Sequence, residues 1–219
     1  MKPGALLAGL SILAIAGLAW LGRPYSSGGA PEPGSSAERP TLLLLTSLPL
    51  VFGESFGLDN GGSPALTRLE QRYRVLPIGV ADAASLDGQK LLLMAHPRAQ
   101  PAEALVQLDQ WVRGGGRVLL LADPKLDWPS ERPLGDRLRP SPMFPDTGLL
   151  GHWGLRLSPP RTLISNGDCR IADQGLIARC RIGRGRATVI ADADFLNVEA
   201  PDSPGLDLLL SELDGLGTR

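Results

Sequence analysis

PAEALVQLDQWVRGGGRVLLLAD, residues Pro101 to Asp123, is the stretch from which the rest of the chain can be read. Ala104, Leu105, Leu108, Trp111 and Val112 recur at helical spacing, so the first half is a helix with one apolar face. Gly114, Gly115 and Gly116 then stop it, and a left-handed C-cap is expected among them. Arg117–Ala122 follows as a strand that is apolar on both faces after its first residue, as parallel strands covered on both sides are. A helix feeding a buried strand is the repeating unit of a doubly wound α/β domain. In such sheets ligands sit at the carboxyl ends of the strands. Here that end is Asp123-Pro124, with no nucleophile.

The same alternation extends in both directions. Thr41–Ser47, Arg74–Ile78, Lys90–Ala95 and Ala187–Ala191 are further short apolar runs of strand length. Ser63-Pro64 and Ser203-Pro204 each start a helix, one burying Leu66, Leu69 and Tyr73, the other Leu206, Leu209, Leu210 and Leu213. Leu48–Gly62 and the proline- and arginine-rich Leu126–Phe144 have no period and are expected as loops over the carboxyl edge of the sheet. A short helix is expected in Asp146–Trp153 and a short strand at Thr162–Ser165. Cys169–Cys180 reads as a hairpin turning at Gln174-Gly175, which sets Cys169 opposite Cys180 and Arg170 opposite Arg179. The fold expected is a mostly parallel, flavodoxin-like doubly wound α/β sheet with a β-hairpin insertion.

The N-terminus sets the class. Ala5–Leu21 carries no charge, and at ~1.5 Å per residue it spans about 26 Å, close to the ~30 Å hydrocarbon core. Lys2, Trp20 and Arg23 suit its two ends. A cleaved signal peptide is the rival reading. Its cleavage sites are poor, because Gly17-Leu18-Ala19 precedes bulky Trp20 and Ala14-Ile15-Ala16 lies inside the apolar run. Residues 1–22 are therefore expected as one transmembrane helix, residues 23–40 (rich in Ser, Gly and Pro) as a flexible tether, and 41–219 as one domain. That arrangement puts the domain outside the cytoplasmic (inner) membrane of a single-pass protein.

Net charge is −1 and arginines form no continuous stripe, which argues against nucleic acid. The glycine cluster precedes a strand, whereas a phosphate loop precedes a helix, which argues against a nucleotide. No cofactor is expected. Zinc-type spacing is absent, His96 and His152 being the only histidines. Asp123, Asp192, Asp194, Asn197 and His96 all fall at strand ends and could together hold a divalent cation or activate water. The plainer account, which is preferred, is that Asp and Asn are good turn residues. Glu54, with Phe52, Phe56, Asp59 and Asn60, places carboxylates and aromatics in the first loop, as a contact surface or as a loop folded on itself. Cys169 and Cys180, the only cysteines, are either a disulfide or two reduced thiols. Two-residue-turn geometry would make them a hydrogen-bonded pair, the less favourable kind for a bridge.

LVQLDQWVRGGGRVLLLADP, together with GRGRATVIADADFLN near the end, resembles the glutamine-amidotransferase-like domain of uncharacterised ABC transport systems. That family includes the extracytoplasmic part of gliding-motility auxiliary components, and the resemblance covers about Arg39 to Asp214. It implies a flavodoxin-like sheet working beside ABC transporter permease or accessory subunits. Class I glutamine amidotransferases carry a cysteine elbow where this chain has Leu121-Ala122-Asp123-Pro124, and they have a later His-x-Glu pair that is missing here. Amidotransferase activity is therefore carried over at no residue. The expectation is a membrane-anchored, non-catalytic binding domain; the alternative is an extracytoplasmic hydrolase using Asp123, Asp192 and His96.

Overall fold

Five parallel strands lie side by side in the computed structural model, which describes residues 39–53 and 62–217. The expected membrane segment, all but the last two residues of the tether, and Glu54, Phe56, Asp59 and Asn60 lie outside the described residues. Among those described, no helix is long and apolar enough to cross a membrane. The strands are β1 (Thr41–Thr46), β2 (Arg74–Pro77), β3 (Leu91–Ala95), β4 (Arg117–Leu121) and, much later in the chain, β9 (Gly185–Ile190). Their spatial order is β2-β1-β3-β4-β9, the order of the flavodoxin-type doubly wound sheet. The antiparallel strands β8 (Ile177–Ile182) and β7 (Cys169–Ala172) extend the same sheet beyond β9. The hairpin expected as an insertion is thus an edge extension of the sheet.

The apolar runs are covered on both faces, as continuous burial of β3 and β4 requires. Leu42, Leu44, Leu93, Leu119 and Leu121 pack under helix α1 (Pro64–Arg72) and the last helix, α5 (Pro204–Gly217). Leu43, Leu92, Met94, Val118 and Leu120 face α2 (Ala83–Leu86) and α3 (Ala102–Arg113). Helix α4 (Leu149–His152) and the small antiparallel pair β5 (Leu155–Ser158) and β6 (Thr162–Ser165) complete that side. Each fully buried leucine contributes roughly 1.5–3 kcal/mol by leaving water.

Local signals act where the sequence places them. Ser63 caps α1 by accepting the Leu66 amide at 3.1 Å, with Pro64 in the first turn. Gly115 adopts the left-handed turn after α3, with φ 117°. Gly116 is needed for space, since a Cβ there would sit 2.3 Å from the Trp111 ring. Gly185, at the start of β9, passes so close to the end of α3 that a Cβ would lie 2.0 Å from the Val112 carbonyl oxygen.

The hairpin register is Cys169 opposite Cys180 and Arg170 opposite Arg179, and the two cysteines are joined by a disulfide. Two details differ from the expectation. The turn is longer, with Asp173, Gln174 and Gly175 all at positive φ, and Ala172–Ile177 is the pair that closes it. The Cα separation of the cysteines is 4.1 Å, which belongs to the narrow, non-hydrogen-bonded class of antiparallel pair. The longer turn decouples the ladder from two-residue-turn parity. Arg179 is balanced by a two-pronged pair with Glu212 of α5, so its repulsion from Arg170 is relieved by protein as well as by water.

Candidate functional site

The carboxyl edge of the parallel strands carries two distinct arrangements. The first is a group of three carboxylates, Asp123, Asp192 and Asp194, with one oxygen of each within 4.8 Å of the others. Asp123 follows β4 and is completely buried. Its Oδ1 accepts the Lys125 amide at 2.8 Å and its Oδ2 accepts the Ala193 amide at 3.0 Å. Its own carbonyl takes the Phe144 amide at 2.7 Å. A buried carboxylate must be met by donors, and here most of them are backbone. Asp123 therefore ties the end of β4 to the end of β9 and to the covering loop.

Asp192 and Asp194 sit on the turn after β9. Asp192 Oδ1 accepts the Asp194 amide at 2.9 Å, and Asp194 Oδ1 accepts the Asp127 amide at 2.7 Å. Sequence reasoning gave no hint of the group that joins all three. Arg161, between β5 and β6, reaches over the edge with its guanidinium 3.7 Å from Asp123 and 3.2 Å from Asp192, and also donates to Asp194. It lies just after the cis Pro159-Pro160 bond in a stretch with no period, so no local signal marked it. Burial, and secondarily the neighbouring negative charges, raise the Asp192 pKa; the Asp194 amide and Arg161 oppose that rise.

His96 is not part of this group of ligand atoms, and Asn197 meets it only through its backbone. The Asn197 residue is exposed, and its backbone amide closes the turn onto the Asp194 carbonyl at 2.9 Å. His96 is fully buried after β3, with Nε2 3.0 Å from the Ser141 carbonyl and Nδ1 without a hydrogen-bond partner among the described residues. A carbonyl cannot donate, so Nε2 carries the hydrogen. Burial lowers the imidazole pKa, partly offset by the Ser141 bond and by the charges of Asp123 and Asp194. The backbone strain at this edge is also at His96, whose φ of 45° is unusual for a residue with a Cβ. His152 lies elsewhere, 3.3 Å from Asp109 of α3.

The second arrangement is a pocket of about 740 Å³ at the ends of β1 and β2, closed on another side by Arg98 and Gln100 from the segment after β3. It lies at the carboxyl edge beside the point between β1 and β3 where the strand order reverses, which is the usual region of the ligand crevice in an open doubly wound sheet. Thr46 donates its hydroxyl to the Ala95 carbonyl at 2.8 Å, and Ser47 donates to the His96 carbonyl at 2.5 Å. These bonds continue the β1–β3 pairing past the ladder and form the floor. Leu48, Val51, Phe52, Ile78 and Leu138 supply apolar wall; Arg98 and Arg132 stand among them. Leu138 and Arg132 come from the 126–144 loop, which here does lie over the carboxyl edge. The sequence marked both loops but not the cavity between them, because that cavity is made by four segments far apart in the chain.

No family model and no curated protein matches the chain. Among solved structures, the mmIFT52 N-terminal domain is similar to it at 14% identity and a TM-score of 0.55, over 82% of this chain and 98% of that one. That likeness shows the fold alone. The exo-β-1,4-mannosidase Op5Man5 from Opitutaceae bacterium strain TAV5 aligns at 14% identity and a TM-score of 0.43, over 82% of this chain. A catalytic mutant of Gan42B, a GH42 β-galactosidase from G. stearothermophilus, aligns at 13% identity and a TM-score of 0.44, over 83% of this chain. This chain spans 35% and 31% of those two glycosidase chains.

Proposed function

We propose that this chain is a non-catalytic binding domain, held by its N-terminal segment at the outer face of a cytoplasmic membrane, which serves an ABC-type transport or envelope system. The reading of residues 1–22 as a membrane anchor and the amidotransferase-like resemblance supply the location and the partner. The observation that carries the binding role is the composition of the switch-point pocket. Among its described lining residues there is no cysteine, histidine or carboxylate, and both hydroxyl side chains donate to main-chain carbonyls. Such a pocket can enclose a ligand but offers no nucleophile–base pair. Support comes also from Asp123, which stands where an amidotransferase elbow would be and has both oxygens engaged by backbone amides. A disulfide between Cys169 and Cys180 suits an oxidising, extracytoplasmic compartment.

In-cell crosslinking of the full-length chain, followed by identification of co-purifying proteins, tests the partner. ABC permease or accessory subunits are the expected catch. Their absence under conditions that crosslink the chain to other membrane proteins overturns the reading.

One observation favours a second reading, an extracytoplasmic hydrolase: three clustered carboxylates, one with a raised pKa. Asp192→Asn is the variant that separates the two. Asp123 is unsuitable because its carboxylate holds the β4 and β9 ends together, so its loss would disturb the fold as well as any chemistry. An activity abolished by Asp192→Asn in a folded protein would favour the hydrolase.

A further inference from the structure

We infer that the switch-point pocket binds an anionic amphiphile, a molecule with an alkyl body and one terminal carboxylate or phosphate. The inference rests on reading the carboxyl edge as a binding face, and it names the ligand class for that face.

The volume of about 740 Å³ lies within the range of roughly 300–1,000 Å³ typical of small-ligand sites. The polar groups of the lining are mostly committed inside the protein. Thr46 and Ser47 donate to the carbonyls of β3 and the residue after it. Gln100 accepts the Ala81 amide through Oε1 and donates to the Arg98 carbonyl through Nε2, both at 3.2 Å. A sugar or an amino acid needs several directional hydrogen bonds, and a pocket with its polar side chains so engaged supplies few. What remains is apolar wall and positive charge.

Arg98 and Arg132 are the only ionisable residues among the described lining. Arg132 is shared with Asp136 of its own loop at 3.8 Å, so Arg98, exposed just past β3, is the better anion receptor. Guanidinium matches the planar fork of a carboxylate or the face of a phosphate. Phe52 and Leu138 are 82% and 55% exposed at the same pocket, which leaves apolar surface for an alkyl chain to cover. A wall of this kind with one charged recognition point selects an apolar body with a single anionic end.

The test uses the full-length chain in nanodiscs of zwitterionic lipid and a diazirine-bearing dodecanoate as photoaffinity probe. Saturable labelling is expected on peptides containing Leu48–Gly53 or Leu138. Dodecanoate should compete, and dodecyl phosphate in a second arm tells whether the head is read as carboxylate only or as either anion. Dodecanol should compete at least tenfold more weakly. Arg98→Ala, an exposed substitution, should reduce labelling at least fivefold while leaving the circular dichroism spectrum unchanged; Leu138→Asp should do the same by placing a charge in the apolar wall that the alkyl chain covers.

Labelling that does not saturate, that falls outside these peptides, or that dodecanol and Arg98→Ala leave unaltered overturns the inference. Saturable labelling without recovery of transporter subunits would sink the partner assignment alone. Recovery of those subunits without labelling would sink the ligand class alone.

Discussion

Replacing Arg161 by Met removes the guanidinium that meets three carboxylates while keeping most of the aliphatic stem. With Arg161 gone, Asp123, Asp192 and Asp194 face one another with oxygens within 4.8 Å. At an effective dielectric constant near 20, one such pair repels by about 3.5 kcal/mol. Arg161 is 36% exposed, so solvent already screens part of its attraction and will screen part of the repulsion left behind. The backbone amides that hold each carboxylate also remain. A loss of about 2–3 kcal/mol at pH 7 is expected, which for a domain of this size lowers the melting temperature by about 4–10 °C. The loss should depend on pH with a definite sign. Removing the cation raises the folded-state pKa of Asp192 further above its unfolded value, so between the two values the folded state binds more protons. Stability of the variant therefore falls as pH rises through that window, and the deficit shrinks as pH is lowered towards about 4. Urea unfolding of the two proteins at pH 7 and pH 5, followed by tryptophan fluorescence, measures both quantities. A change below about 0.5 kcal/mol at pH 7, or an equal deficit at the two pH values, would refute the electrostatic account.

Three further outcomes are expected. Gly185→Ala drives a methyl group into the Val112 and Gly116 carbonyl oxygens, 2.0 and 2.2 Å from its ideal position, and should cost about 3 kcal/mol or more by chemical denaturation. A cost under about 1 kcal/mol would mean the α3–β9 approach is looser than described. Cys169→Ser with Cys180→Ser opens a loop closed across 11 positions, so a loss of about 2–3 kcal/mol should appear in thermal melts, matched by reductant acting on the native protein. Burial holds the His96 pKa below its ordinary value, so the unfolded chain takes up the proton first; stability should decline as pH falls below about 6.5, and His96→Gln should flatten that decline.

Much of the sheet is legible along the chain, because parallel strands covered on both sides must be apolar throughout. Leu43 and Leu44, or Leu92 and Leu93, face opposite layers, and each needs burial irrespective of which helix supplies it. Helix starts at Ser63 and Ser203 are equally local, since a cap and a following proline act within one turn. The Cys169–Cys180 register is local too, although the parity of the ladder was misjudged because the turn holds more left-handed residues than Gln174-Gly175 alone. Strand β5 and helix α2, four residues each, have no counterpart in the sequence reading.

The candidate site was only half legible. Asp123, Asp192 and Asp194 stand at strand ends in the sequence, and a parallel β4–β9 pairing necessarily brings those ends together. Sequence pattern could therefore name the carboxylates but not their counter-ion. Arg161 arrives from a different layer, and nothing within several residues of it reports that it crosses to the sheet edge. That His96 is fully buried with its Nε2 on the Ser141 carbonyl, and that Asn197 is exposed, is likewise set by the tertiary packing rather than by residue type.

By itself, then, the sequence determined the layer architecture, the edge at which polar residues collect, and the absence of a cysteine elbow after β4. These are properties of periodicity and residue type, set by burial within single elements. Only the tertiary structure decided that Asp123 is a buried clasp, that Arg161 bridges the carboxylates, and that a pocket lined in part by Arg98 opens at the ends of β1 and β2. Each of these depends on groups remote in the chain meeting in space, and a contact of that kind leaves no period or motif along the sequence to be read.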